Sequence, residues 1–121
     1  MAHDRPARVA EEFQHEVSAI LARGLKDPRV VGFITVTGAK MSPDLREVVV
    51  YVSVHGEDAV KKKTMAGLEA AAGFVQREAA RHLKLRVVPH LRFVWDGSIE
   101  EGDKIERLLK EAKEKDAHGE G

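Results

Sequence analysis

The residues best placed to do chemistry lie in Leu68–Arg86, LEAAAGFVQREAARHLKLR, where an alanine-rich run meets Gly73 and is followed by Arg77, Arg81 and Lys84. Steps of four and three put these cations on one side of a helix, as a polyanion would require. Ala70, Ala71, Ala72 and Gly73 have small side chains, which let another backbone come close. A glycine inside a helical run costs about 1 kcal/mol relative to alanine. The expectation is therefore two helices with a kink at Gly73, the second opening on free backbone amides that bind anions. The plainer alternative is a glycine that only lets one helix bend over a sheet.

Other chemistries find less support. The six histidines, His3, His15, His55, His82, His90 and His118, include no pair four residues apart, and no cysteine is available to complete a zinc site. No metal or cofactor is expected. There is no G-x-S-x-G elbow, Walker loop or G-x-G-x-x-G among the ten glycines. The acidic pairs Glu11-Glu12, Glu57-Asp58 and Glu100-Glu101 are neighbours that point different ways on a helix, which suits solvation or first-turn charge. Nothing converges as a catalytic site would, so no catalysis is expected. A small-molecule enzyme using His55 or His82 is the remote rival.

Charge is balanced overall, with 20 basic and 20 acidic residues, yet unevenly placed. Residues 1–96 hold 15 Lys/Arg against 12 Asp/Glu, and residues 97–121 hold 5 against 8. Between Val60 and Asp96 the cations Lys61, Lys62, Lys63, Arg77, Arg81, Lys84, Arg86 and Arg92 face only Glu69, Glu78 and Asp96. A basic body of this kind is the electrostatic footprint of nucleic acid. The lack of cysteine suits a reducing compartment. No apolar run approaches the roughly 18 residues of a membrane span, and the start MAHDRPARVAEEF lacks the apolar core of a signal peptide. A cytoplasmic protein of one domain is expected.

The elements that position the basic segment follow from periodicity. Val9, Phe13, Val17, Ile20 and Leu21 form the stripe of an amphipathic helix over 6–23, capped at Asp4 and ended by Gly24 and Asp27-Pro28. Residues 32–41 read as a strand. Ser42-Pro43-Asp44 reads as a turn, and 47–55, EVVVYVSVH, as a strand with a valine face for the core. The other face carries Thr35, Thr37, Ser53 and His55, open to water or a partner. Residues 86–95 read as a third strand, where Pro89 implies an edge or a bulge. A short helix follows Asp96-Gly97-Ser98, then a charged tail expected to be flexible. Phe13, Phe33 and Phe93 are read as core. Only six aromatics are present, too few for a base-stacking sheet, so a basic helix junction gripping backbone fits better.

Three stretches resemble the ribosome-binding factor A family of bacterial small-subunit assembly factors, over about residues 5–109. They are PRVVGFITVTGAKMSPDLREVVVYVSVHG, with its S-P-D-L-R turn at Ser42–Arg46; AAAGFVQRE, where Ala71-Ala72-Gly73 fits the Ala-x-Gly that replaces the G-x-x-G of ordinary KH domains; and LRVVPHLRFVWDGSIEEGDKI. Gln76 departs from the family pattern, which commonly has arginine there.

The resemblance implies an α+β, type II KH-like fold: helix, strand, strand, helix, kink, helix, strand and a short C-terminal helix, with a three-stranded sheet and helices on one face. It implies a domain over 1–109 and a tail over 110–121. It further implies binding to the 30S subunit and its 16S rRNA, a role in late maturation, rRNA processing and cold adaptation, and no catalysis. Ribosomal proteins and assembly GTPases are the further partners, with no membrane and a monomeric state. The candidate RNA-binding residues are Arg5, Arg8, Arg46, Lys61, Lys62, Lys63, Ala71, Ala72, Gly73, Arg77, Arg81, Lys84 and Arg86. The alternative is a non-catalytic protein-interaction module acting through the open sheet face.

Overall fold

A computed structural model describes residues 5–97. Within them the order is α1 (Arg5–Arg23), β1 (Phe33–Met41), β2 (Glu47–His55), α2 (Asp58–His82) and β3 (His90–Trp95). The stripe read from the sequence of α1 is the face that packs: Val9, Phe13, Val17 and Ile20 are buried, and the helix stops at Gly24, whose φ of 92° is left-handed.

β1 and β2 form an antiparallel hairpin, and β3 pairs in parallel with β2, giving the order β1-β2-β3. A parallel return needs a crossover, which α2 supplies. The turn at Ser42–Glu47 is closed by its own side chains: Ser42 Oγ donates to Asp44 Oδ1 at 2.7 Å, and the Glu47 N–H donates to Ser42 Oγ at 2.9 Å. Leu45 takes the left-handed position there, with φ of 62°.

Val48, Val50, Val52 and Val54 are buried against the helices, as alternation in β2 requires. Phe13, Val17, Leu68, Val75, Ala79 and Leu91 complete the core. Thr64 is buried on α2, and its Oγ1 accepts the Gly32 N–H at 3.3 Å, tying the helix to the start of the hairpin.

Four expectations are corrected. The helix is not broken at Gly73: α2 runs continuously for 25 residues, so no second helix start frees amides there. The packing of Leu68, Val75 and Ala79, all fully buried in the core, holds the segment helical despite the glycine cost. β3 begins at His90 rather than Arg86, because Pro89 has no N–H for the ladder and the strand starts just after it.

Phe33 is not core; it lies on the open face of the sheet, paired with His55, and is 85% exposed. Ser53, expected to face water, is only 3% exposed. It lies on the central strand, paired with Thr35 of β1, and nearby β1 is bulged between Val36 and Gly38, where Thr37 Oγ1 donates to Asp96 Oδ2 at 2.7 Å. The Asp4 cap, the short helix after Gly97 and the tail over 110–121 lie outside the described residues.

Candidate nucleic-acid interface

The outer face of α2 is built by helical geometry alone. Ala59, Lys63, Ala66, Ala70, Gly73, Arg77 and Arg81 recur at steps of three and four, opposite the buried Thr64, Leu68, Val75 and Ala79. All are exposed except the half-buried Gly73. The result is a smooth centre of small side chains with cations at each end, about 27 Å apart from Lys63 to Arg81. Lys62 flanks the same end as Lys63, exposed on the side toward β3.

Gly73 has a local role on this face. A Cβ there would lie 3.3 Å from Arg77 Nη1, so the Arg77 guanidinium folds back over the glycine. Arg81 is engaged differently. Its Nη2 donates to Glu78 Oε1 at 2.9 Å, which raises the Arg81 pKa and lowers that of Glu78. Both groups are solvent-exposed, so this contact directs the side chain more than it stabilises the fold.

Lys84 does not continue the face. The helix ends in a Schellman arrangement: the Leu85 N–H reaches Ala80 O at 3.0 Å, the Lys84 N–H reaches Arg81 O at 3.1 Å, and Lys84 is left-handed with φ of 56°. The spacing argument that joined Lys84 to Arg77 and Arg81 therefore fails past His82. Arg86 follows in the exposed connection to β3.

The remaining candidates are dispersed. α1 runs counter to α2, with Glu16 beside His82 at 3.7 Å and Gly24 and Leu25 beside Ala71 and Phe74. Arg5 and Arg8 are thus at the end of the molecule near the close of α2, far from Lys61–Lys63. Arg46 is exposed where the hairpin turn meets β2. Ala71 packs toward the core on the α1 side, whereas Ala72 and Gly73 border a groove between α2 and β3.

That groove was not foreseen. One part, about 590 Å³, is lined by Ala72, Gly73, Gln76, His90, Leu91 and Arg92. The other, about 490 Å³, is lined chiefly by Lys61, Lys62, Met65, Ala66, Phe93 and Trp95, and Glu69 and Phe93 border both. Lys61 Nζ stands 5.3 Å from the centre of the Trp95 ring, within cation–π range. The signal for it was the alternation of Leu91, Phe93 and Trp95 in β3.

The histidines do not gather: His55 is exposed at the end of β2, His82 faces Glu16 and Glu78, and His90 Nδ1 lies 3.3 Å from Glu47 Oε1. Among the described residues no three side chains come together to hold a metal, and no helix is long and apolar enough to cross a membrane.

A three-stranded mixed sheet covered on one face by two helices, with a glycine-marked helix at its crossover, defines a type II KH-like α+β domain. The comparisons identify it further. The sequence pattern of the ribosome-binding factor A family matches residues 5–109, and the chain belongs to that family.

A ribosome-binding factor A of Anaeromyxobacter sp. strain Fw109-5 is 69% identical, covering 98% of this chain and 97% of its own. One from Geobacter sp. strain M21 is 48% identical over 88% of this chain and 89% of its own. The solution structure of a Thermotoga maritima protein matches with a TM-score of 0.64 at 35% identity, covering 74% of this chain and 85% of that one. The crystal structure of Thermus thermophilus ribosome-binding factor A, 23% identical, shares the fold with a TM-score of 0.63, over 75% of this chain and 96% of its own.

Proposed function

We propose that this chain binds the small ribosomal subunit through its 16S rRNA, laying the outer face of α2 against sugar-phosphate, and assists late subunit maturation and rRNA processing without catalysing a reaction. Growth in the cold is where its absence is felt most, and it acts in the cytoplasm. The observation that carries the reading is the exposed α2 face, where Ala66, Ala70 and Gly73 leave room for a backbone and Lys63, Arg77 and Arg81 supply charge. Family membership supports it, as does a Thermus thermophilus relative that has been fitted into a map of its complex with the 30S subunit.

Residues 5–97 contain 15 Lys/Arg and 11 Asp/Glu, a surplus of four positive charges that favours approach to RNA. Specificity then comes from the shape of folded RNA, because a face of alanines offers no groups to read base edges. The test is sedimentation of tagged protein in cell extract. Co-migration with immature 30S particles supports the reading, and migration only with free protein refutes it.

One observation favours the other reading, a protein-interaction module. Phe33, and Val31 just before it, expose apolar surface at the β1 edge of the sheet, which has no outer neighbour among the described residues. Association that survives nuclease treatment would select it.

A further inference from the structure

We infer that the hollow where the loop after α1 meets α2 takes a single unpaired nucleobase, stacked on Phe74, with the adjoining phosphates on Lys26, Arg23 and Arg77. This deepens the reading above, that α2 faces ribosomal RNA, and rests on it. Phe74 is 50% exposed, and among the described residues it is the one large apolar side chain of α2 left in the open. Four residues beyond Ala70, it stands about 40° round the helix from the centre of the outer face. Ring and cationic face are therefore neighbours.

The hollow is about 360 Å³ and is lined by Gly24, Leu25, Lys26, Asp27, Ala71 and Phe74. That is near the small end of ligand pockets, about 300–1,000 Å³, and suits one flat ring system better than a segment of protein chain. The loop that walls it is held in shape. Gly24 turns the chain with φ of 92°, its N–H donates to Leu21 O at 3.0 Å, and the Val30 N–H donates to Asp27 O at 3.1 Å. Arg29 Nε and Nη2 donate to the two oxygens of Asp27, at 2.9 and 2.6 Å.

Charge selects the occupant. Lys26 lines the hollow, Arg23 ends α1, and Arg77 is one turn beyond Phe74; all three are exposed. The carboxylates nearby, Asp27 and Glu78, are already engaged by Arg29 and by Arg81. An apolar protein side chain would cover the ring and leave the cations without anions, whereas a nucleotide answers both, base on ring and phosphate on cation. Every base has a face that stacks on an aromatic ring, so the hollow adds a preference for unpaired RNA and none for sequence.

The test compares full-length protein binding fluorescein-labelled oligoadenylate with its binding of an abasic ribose-phosphate oligomer of equal length, which has the same charge and no rings. The parent should prefer oligoadenylate. Phe74→Leu should lose about tenfold in affinity for oligoadenylate, with the abasic oligomer bound as before and the circular dichroism of the fold retained. The slope of log K against log salt should stay unchanged in that variant, and Phe74→Tyr should bind like the parent. Equal affinity of the parent for the two oligomers, parental oligoadenylate binding by Phe74→Leu, or an equal loss on both oligomers would overturn the inference. So would a Phe74→Leu that loses affinity for 30S subunits alone, because the hollow would then take a protein side chain. The phosphate contacts of α2 are tested apart from this, by the salt slopes of Lys63 and Arg77 variants, in which Phe74 is untouched.

Discussion

Gln76 Oε1 accepts the backbone N–H of Leu91 at 2.8 Å, so α2 holds β3 by a side chain as well as by packing. The amide it satisfies is on the strand edge that faces away from β2, beside a Leu91 that is almost fully buried. An arginine at this position would carry no acceptor and could not make this bond. Gln76→Leu is therefore expected to cost about 1–2 kcal/mol by leaving a partly buried donor unpaired, whereas Gln76→Glu keeps the acceptor and loses less. Urea denaturation of the two variants checks this, and equal midpoints for Gln76→Leu and the parent would contradict it.

Two glycines of α2 should respond in opposite directions. At Gly67 an added Cβ would stand 2.7 Å from Val30 Cγ2 and 3.2 Å from the Val30 backbone nitrogen, where the loop after α1 presses on the helix. Gly67→Ala should destabilise by about 1–3 kcal/mol through overpacking. At Gly73 the only close atom among the described residues is the far end of the flexible Arg77 side chain, so Gly73→Ala should be neutral or stabilise by up to about 1 kcal/mol through helix propensity. Thermal unfolding decides; a larger loss at Gly73 than at Gly67 would reverse the assignment.

These pairs show what the sequence disclosed. The stripes of α1 and α2 and the valine alternation of β2 were legible because one face of each element meets a core, and burial enforces the period. Gly73 has the sequence character of a helix breaker, but propensity is a weak prior beside the buried Leu68, Val75 and Ala79 around it. The need for Gly67 is invisible in the local sequence because the loop that presses on it, at Arg29 and Val30, is distant along the chain. Phe33 misled for a related reason: its type suggested burial, and only the strand register places it with exposed His55. The basic character of α2 was legible; the groove beside it depends on β3 docking and was not.

Lys84 sits in a left-handed conformation that strains a side chain with a Cβ. Lys84→Gly should raise stability by about 1 kcal/mol at this C-terminal position. An unchanged or lower melting temperature would contradict the helix ending described. The same variant removes a cation, so it also separates the contribution of Lys84 to RNA binding from that of the α2 face.

Stability should also depend on acid in one identified place. The hydrogen bond from the Arg29 side chain to Asp27, then that from the Arg29 backbone, lower the Asp27 pKa from 3.8 to about 2. A depressed carboxylate stabilises the fold at pH above its unfolded value, about 4, and that contribution is lost as pH falls through about 2. Asp27→Asn should therefore reduce stability at neutral pH and flatten its dependence on pH across this window. An NMR titration of the Asp27 carboxyl with an ordinary midpoint would rule this out.

The claim on which the functional account rests is that the outer face of α2 carries the phosphate contacts. Its most direct test is the affinity of full-length protein for 30S subunits across a range of salt, comparing the parent with Lys63→Glu, Arg77→Glu and their combination. Each lost contact should weaken binding and reduce the slope of log K against log salt by about 1, with the double variant losing about 2. Parent-like affinity and slope in all three variants, with the fold intact, would contradict the account.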